Sequence, residues 1–389
     1  MPAGAQSTEL LIIGAGPYGL SMASYAKQAG LDYRLQGKPM ELWEEHTPRQ
    51  MTLATFYETS LKDPARAATL MRYCALNGIP VPEGRASPSR ELFLRYARWW
   101  IAEAGLESDG RHVKRLAHGE GAFEATLDGG ARIEAARVLI AAGTFYHRYV
   151  PPFYSQRLPR ERFSHTLEAT QLERFAGQRV LVVGGGLSAL EWSAILSEVG
   201  AEVTCAYRHA PWDVETGKSY IAVNVMQWRD LSEADPEWYR SLSPSKREEI
   251  LEGIRRHTPP APWLRERLSK VRFLPHTEIA DAAANTHVRV DFVSGETIEV
   301  DHVILGTGFV ADIANVPFWD RETILAQIAT SNGYPVLDQY FQSSIPGLYF
   351  AGILAMQDFG PIFRFVSGSG VAPPHILQHI SQHRPRISS

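Results

Sequence analysis

The chain has 389 residues and a formal net charge of −4, with 44% hydrophobic and 21% charged residues. That length suits two domains, each with its own core, and the balance excludes wholesale disorder. No long basic block occurs, so nucleic acid and anionic membranes are not expected partners. The longest apolar runs fall short of the ~20 residues of a membrane span. The polar start, Met1 to Leu10, has no signal-peptide pattern. Cytoplasmic residence is the expectation.

The first element is the apolar run Leu10 to Ile13, which ends in Gly14-Ala15-Gly16-Pro17-Tyr18-Gly19 and leads into a helical pattern reaching about Gly30. A buried parallel strand, a tight turn and a helix N-terminus are predicted there. Gly14-x-Gly16-x-x-Gly19 fits the dinucleotide fingerprint. The first glycine permits the turn, the second lets backbone approach a diphosphate, and the third lets helix and strand pack closely. The helix N-terminus, with Pro17 in the loop, then offers free N–H groups and partial positive charge to the diphosphate. The following strand, Asp32 to Gln36, ends without a carboxylate, so Gln36 is expected to meet the adenosine ribose through its amide.

Ser89 is positioned to cap a helix bearing Leu92, Phe93, Tyr96, Trp99 and Trp100, whose spacing reads as core or domain interface rather than a substrate box. Phe123 to Leu127, a turn at Asp128-Gly129-Gly130, and Ala131 to Ile133 read as a hairpin ahead of the apolar strand Arg137 to Ala142. About 170 residues after the first loop the pattern repeats. Leu181-Val182-Val183 leads into Gly184-x-Gly186-Leu187-Ser188-Ala189, with alanine in the last fingerprint position, which suits NADP. The next strand, Glu202 to Tyr207, ends at Arg208, where NAD sites usually carry a carboxylate. An arginine there can bind a 2′-phosphate, so NADPH is expected over NADH; the alternative is an ordinary solvated arginine. A second hairpin, Val288 to Val300, precedes Val303 to Phe309, and Gly347 to Gly352 reads as a further strand with its glycine.

The resulting expectation is an α/β fold of two dinucleotide-binding, Rossmann-like domains. The NADPH domain, residues 177–310, is inserted into a discontinuous first domain formed by residues 1–176 and 311–389. Residues 211–275 form an excursion holding four of the nine tryptophans, Trp212, Trp228, Trp238 and Trp263. It either caps the site or packs as a surface helical excursion. The exposed aromatics suggested there and at Trp99-Trp100 fit a homodimer or a closed two-domain monomer.

The chain has two cysteines, Cys74 and Cys205, and no CxxC pair. Disulfide reductases share both glycine loops but need an adjacent cysteine pair. His375, His379 and His383 share a helix face, yet neither an HExxH glutamate nor a Cys or Asp cluster accompanies them, so no metal is expected.

Gly37 to Trp43, Met51-Thr52-Leu53 and Leu305-Gly306-Thr307-Gly308-Phe309 resemble flavin-containing monooxygenase-like proteins of the class B flavin monooxygenase superfamily. Thr59 to Pro64, Pro88 to Phe93 and Asn224 in its context resemble the ornithine and lysine N-hydroxylases. The resemblance implies Trp43 and Met51 along the flavin, and Asp63 facing the flavin or a substrate amine. It implies Asn224 bonded to substrate or nicotinamide ribose, and Gly352 near the pyrimidine end of the flavin ring. Departures are Gly306 where alanine is usual, Phe309 where tyrosine is usual, and Ile353 where an acid is common. The segment Arg162 to Thr166 keeps His165 but lacks the Phe-x-Gly and trailing aromatic of the family motif.

The implied activity is that of an FAD- and NADPH-dependent monooxygenase. Flavin reduced by NADPH adds O₂ to form a C4a-(hydro)peroxide, which oxygenates an amine nitrogen or sulfur of a small molecule; carbonyl insertion comes second. The alternatives are an NADPH-dependent oxidase or reductase passing electrons to O₂, a quinone or a protein, and a non-catalytic flavin- or NADP-binding sensor.

Overall fold

The computed structural model describes residues 6–53, 55–83, 86–119, 121–208, 236–256 and 264–383. The first sheet grows around β1 (Gln6–Ile13), whose run Leu10 to Ile13 is fully buried. A strand with no polar face belongs in the middle of a covered parallel sheet. α1 (Pro17–Gln28) follows, with Gly16 as N-cap and proline in the first turn, where a missing N–H costs nothing. It returns the chain to β2 (Tyr33–Gln36), parallel to β1 with Ile13 opposite Gln36.

Three helices come next: α2 (Glu41–Glu45), α3 (Leu70–Leu76) and α4 (Arg90–Glu103). Ser89 Oγ accepts the Leu92 N–H at 3.2 Å and so caps α4. Phe93, Tyr96 and Trp100 on α4 are fully buried, and Trp99 packs half-buried beside them, so this aromatic run is core.

β3 (Val113–Gly119), β4 (Ala122–Leu127) and β5 (Arg132–Ile140) form an antiparallel meander. The hairpin and apolar strand expected as separate pieces are one strand here. β5 pairs with β4 through Phe123↔Ala135 and runs on beside β1 to Ile13↔Ile140, its burial alternating through Ile133 and Ala135 and becoming continuous from Val138 to Ile140, where both faces are covered.

After α5 (Pro152–Arg157) the chain enters the second sheet. β6 (Phe163–His165) lies at its edge, ahead of the expected boundary at residue 177, and Phe163 helps fill its core. β7 (Arg179–Val183), α6 (Leu187–Glu198) and β8 (Glu202–Tyr207) repeat the first βαβ unit. The helices Pro236–Ser241, Pro244–Arg256 and Leu264–Arg267 belong to the tryptophan-rich excursion. Its described part reaches over to the first unit. The Arg240 guanidinium donates to the carbonyls of Leu337 and Asp338 at 3.3 Å, and Arg247 lies 3.7 Å from the Asp358 carboxylate.

β9 (Arg272–Pro275) completes one edge of the second sheet. β10 (Ile279–Ala284), β11 (Val288–Phe292) and β12 (Thr297–Val300) form a separate antiparallel sheet, while β13 (His302–Leu305) sits between β6 and β7. Here the echo of the first unit breaks. Asp301 accepts the Arg179 backbone N–H at 2.8 Å and lies 2.7 Å from His287 Nδ1, which pins the step from one sheet to the other.

A short ribbon, β14 (Thr330–Ser331) with β15 (Tyr334–Pro335), precedes β16 (Leu348–Phe350). β16 adds to the first sheet beside β5, with Leu348 opposite Val138. The second dinucleotide unit is therefore inserted into a first unit that the later chain completes. Where the two chain crossings meet they run antiparallel, Tyr149 N–H donating to Gly308 at 2.9 Å and Val310 N–H to His147 at 2.8 Å. Among the described residues no helix is long and apolar enough to cross a membrane.

Candidate cofactor sites

The first site lies at the C-terminal ends of β1 and β2. Gly14 has φ +109°, and a Cβ on it would stand 2.2 Å from the Ala141 carbonyl oxygen; one on Gly19 would stand 1.8 Å from that of Gly14. Only glycine lets this loop close against the sheet. Gly16 leaves the first N–H groups of α1 without a side-chain cap, and they open towards a cavity of about 430 Å³. Gly14, Gly16, Pro17, Gln36, Trp43 and Gly352 all line that cavity.

Gln36 fits a nucleotide cofactor in this cavity. It is 2% exposed, and its Oε1 has no hydrogen-bond partner among the described residues. A buried acceptor left unpaired costs about 1–3 kcal/mol, and a ribose hydroxyl would supply the missing donor. Replacing Gln36 with leucine is expected to weaken FAD binding about tenfold, without destabilising the flavin-free protein. Flavin fluorescence titration and melting of the flavin-free protein check both halves.

Several positioning residues escaped the sequence reading. Arg90 is buried at the start of α4, and its guanidinium donates to the Trp43 carbonyl, to Thr47 Oγ1 at 3.1 Å and to the Glu44 carbonyl at 2.7 Å. It thereby holds the end of α2, and with it the Trp43 wall. An arginine directly after an N-cap normally points to solvent, so the sequence carried little signal. Tyr18, inside the first loop, donates from its hydroxyl to Phe365 O at 2.9 Å and stacks on Phe363, fixing the wall formed by residues 363–366. The His46 ring lies tilted against Phe145 at 4.1 Å between ring centres, and Arg148 lies over the same ring.

The second site sits at the matching ends of β7 and β8, in a cavity of about 630 Å³ lined by Gly184, Gly186, Arg208, Glu252, Glu278 and Gly308. Gly184 has φ +133°, and a Cβ there would meet Gly306 O at 2.3 Å. A Cβ on Gly306 would stand 2.5 Å from the Ala189 Cβ. The glycine at 306 therefore makes room for the alanine at the last fingerprint position. Arg208 is exposed at the mouth of the cavity. Ser188, half-buried, and Ala189, fully buried, do not line that cavity.

His165 is fully buried. Its Nε2 lies 3.1 Å from Gly308 O while Nδ1 accepts the Leu167 N–H at 3.3 Å, which assigns the proton to Nε2. Burial pulls it down to about 4, so it stays neutral and clamps the crossing strand. Glu191 on α6 is a buried carboxyl that accepts the Thr52 N–H across the two units. A lone acid within the apolar helix Leu187 to Leu196 was its signal in the sequence.

Other predicted residues lie elsewhere. Met51 is half-buried against the core of the second unit and does not line the flavin cavity. The Asp63 carboxylate accepts the Ala67 and Ala68 N–H groups, each at 3.4 Å, and so closes its own turn. Asn224 lies outside the described residues. His379 Nδ1 is 2.9 Å from the Tyr349 hydroxyl, and His375 packs edge-on against Phe341. Among the described residues, Glu41, Glu45 and His46 are near enough to share a metal, but Glu41 pairs with His112 at 3.2 Å and Glu45 with Lys38 at 2.8 Å. Cys74 and Cys205 are free and buried, and burial raises both thiols, Cys205 to about 12.

Comparison with known proteins matches residues 11–235 and 249–366 to two family profiles, both described as pyridine nucleotide-disulphide oxidoreductase. An indole-3-pyruvate monooxygenase of Oryza sativa subsp. japonica is 26% identical over 339 residues, covering 80% of this chain and 78% of its own. A ferredoxin–NADP reductase of Listeria innocua is 22% identical over 370 residues, covering 94% and 90%. The solved ornithine hydroxylase of Pseudomonas aeruginosa superposes with a TM-score of 0.77 at 16% identity, over 97% of this chain and 99% of that one. The last of these speaks to fold, and it is the two-domain fold described above. The chain belongs to the pyridine nucleotide-disulphide oxidoreductase family, an oxidoreductase with an FAD site in its first unit and an NAD(P)H site in its second.

Proposed function

We propose that the protein is an FAD- and NADPH-dependent monooxygenase that transfers one oxygen atom to an amine nitrogen or a sulfur of a small molecule. The observation that carries this reading is two nucleotide cradles in one chain with no cysteine pair to take electrons from the flavin. When bound, NADPH supplies a hydride, FAD carries the electron pair, and O₂ supplies the transferred oxygen, its second atom leaving as water. The N-termini of α1 and α6 hold the two diphosphates. Gln36 takes a ribose hydroxyl, and Arg208 takes the 2′-phosphate. Tyr18, Phe145 and residues 363–366 form the wall that keeps water from the flavin. The monooxygenase relative and the hydroxylase fold support this reading.

Arg208→Ala is expected to lower kcat/KM for NADPH about tenfold to a hundredfold and leave NADH nearly unchanged, since one charge-assisted contact contributes roughly 1.5–3 kcal/mol. Equal losses with both cofactors would remove Arg208 from the phosphate site.

A reductase is the second reading, favoured by the ferredoxin–NADP reductase relative aligned over 94% of the chain. Product counting separates the two. FAD-loaded protein is given NADPH in air with a panel of primary amines and sulfides, then with ferredoxin or a quinone without air. Oxygenated product matching the NADPH consumed supports the monooxygenase. Peroxide with every amine and sulfide, together with fast delivery to ferredoxin or quinone, supports the reductase.

A further inference from the structure

Glu191 belongs to α6, the helix that starts at the second glycine loop, and is 3% exposed. Its Oε1 accepts the backbone N–H of Thr52, in the first unit, at 2.7 Å. The Thr52 segment is itself fastened to the flavin side. Leu53 N–H donates to Pro88 O at 3.0 Å, and Met51 O accepts the Arg90 N–H at 3.0 Å. The side chain of Arg90 holds the Trp43 wall, while Met51 packs on the core of the second unit. One carboxyl therefore joins the helix of the NAD(P)H loop to a segment tied to the flavin cavity.

Its surroundings are poor in compensating charge. Met51, Thr52 and Leu53 bring none. The helix Leu264–Arg267 brings Arg267, but that guanidinium is held by Glu198, farther along α6, at 2.7 and 2.9 Å. Burial lifts the Glu191 carboxyl from its ordinary 4.5 to about 7, against the opposing pull of the Thr52 N–H and Arg267.

We propose that Glu191 is a positioning residue whose proton state sets how tightly the NAD(P)H unit is held against the flavin unit. Neutral, it sits comfortably in the closed contact. Charged, it favours the opened contact, where water reaches it. An opened contact returns the carboxyl to its ordinary range, so opening releases a proton and is promoted as pH rises from 4.5 to about 7, with no further change above. The catalytic consequence rests on the proposed NADPH-to-flavin reaction; the structural one does not.

Hydrogen exchange of FAD-loaded protein at pH 5.5 and pH 8, corrected for intrinsic rates, tests the contact itself. Opening at the Thr52 amide is expected to rise about thirtyfold in the wild type between these values and to stay level in Glu191→Gln. An equal response in both proteins overturns the proposal. Should the variant not fold, the wild type alone decides, and a flat profile overturns it. The second reading is the rate of flavin reduction by NADPH without air, which is expected to fall from pH 6 to pH 8 in the wild type and to hold in Glu191→Gln. A parallel fall in both overturns the positioning role. If NADPH reduces neither protein, the proposed function fails, and the exchange comparison still decides the role of Glu191.

Discussion

Gly19→Ala yields a protein that purifies without flavin and is less stable by about 2–4 kcal/mol. A Cβ at residue 19 would lie 1.8 Å from the Gly14 carbonyl oxygen, and no rotation relieves a contact between two backbones. Either α1 moves off the sheet or the loop opens, and both changes remove the diphosphate cradle. The second unit offers a control that can be reversed. Gly306→Ala alone brings two Cβ atoms to 2.5 Å and is expected to melt lower, with weaker NADPH binding. Adding Ala189→Gly removes the nearest partner atom and should restore part of the loss, the Cα of residue 189 remaining 2.8 Å from the new Cβ. Gly306 is the first residue after β13, as Ala141 is after β5, so the double variant re-creates the glycine-and-alanine arrangement of the first unit. Calorimetry with flavin absorbance reads all three proteins. A Gly306→Ala protein that melts like the wild type would mean this close approach is absent.

Glu191→Gln should stabilise the protein at pH 8 and do little at pH 4.5. The carboxyl is raised in the folded state, so its stability contribution is fully present below 4.5 and is lost as pH rises to about 7. A rise from 4.5 to about 7, at 1.36 kcal/mol per unit, amounts to about 3 kcal/mol. Glutamine keeps the shape and an oxygen to accept the Thr52 N–H but has no proton to lose. The stability difference between variant and wild type is therefore expected to grow across this window and then level off. Denaturant titrations at several pH values measure it, and a difference that does not change with pH would contradict the burial of this group.

The two glycine loops made the architecture readable from sequence, because Gly14, Gly19 and Gly184 answer steric demands that no other residue meets. The re-entry of Leu348–Phe350 into the first sheet was readable for the same reason, as a short apolar strand that needed a parallel neighbour. Gln36 and Arg208 were located by their place at strand ends, and both line their cavities. Met51 was not, since a half-buried methionine looks the same beside a flavin or against a neighbouring core. Asp63 shows the ambiguity of short acidic side chains, which accept their own turn's N–H groups as readily as they face a ligand. Arg90 and Glu191 act through contacts 46 and 139 residues distant, and a linear pattern does not encode which carbonyl or N–H will arrive.

The central claim is that one chain carries an FAD site and an NADPH site that communicate. Mixing FAD-loaded protein with one equivalent of NADPH without air, while following the flavin absorbance, tests it most directly. Full bleaching is predicted, faster with NADPH than with NADH, with that preference lost in Arg208→Ala. A flavin that stays oxidised under NADPH in the intact, FAD-loaded protein would contradict it.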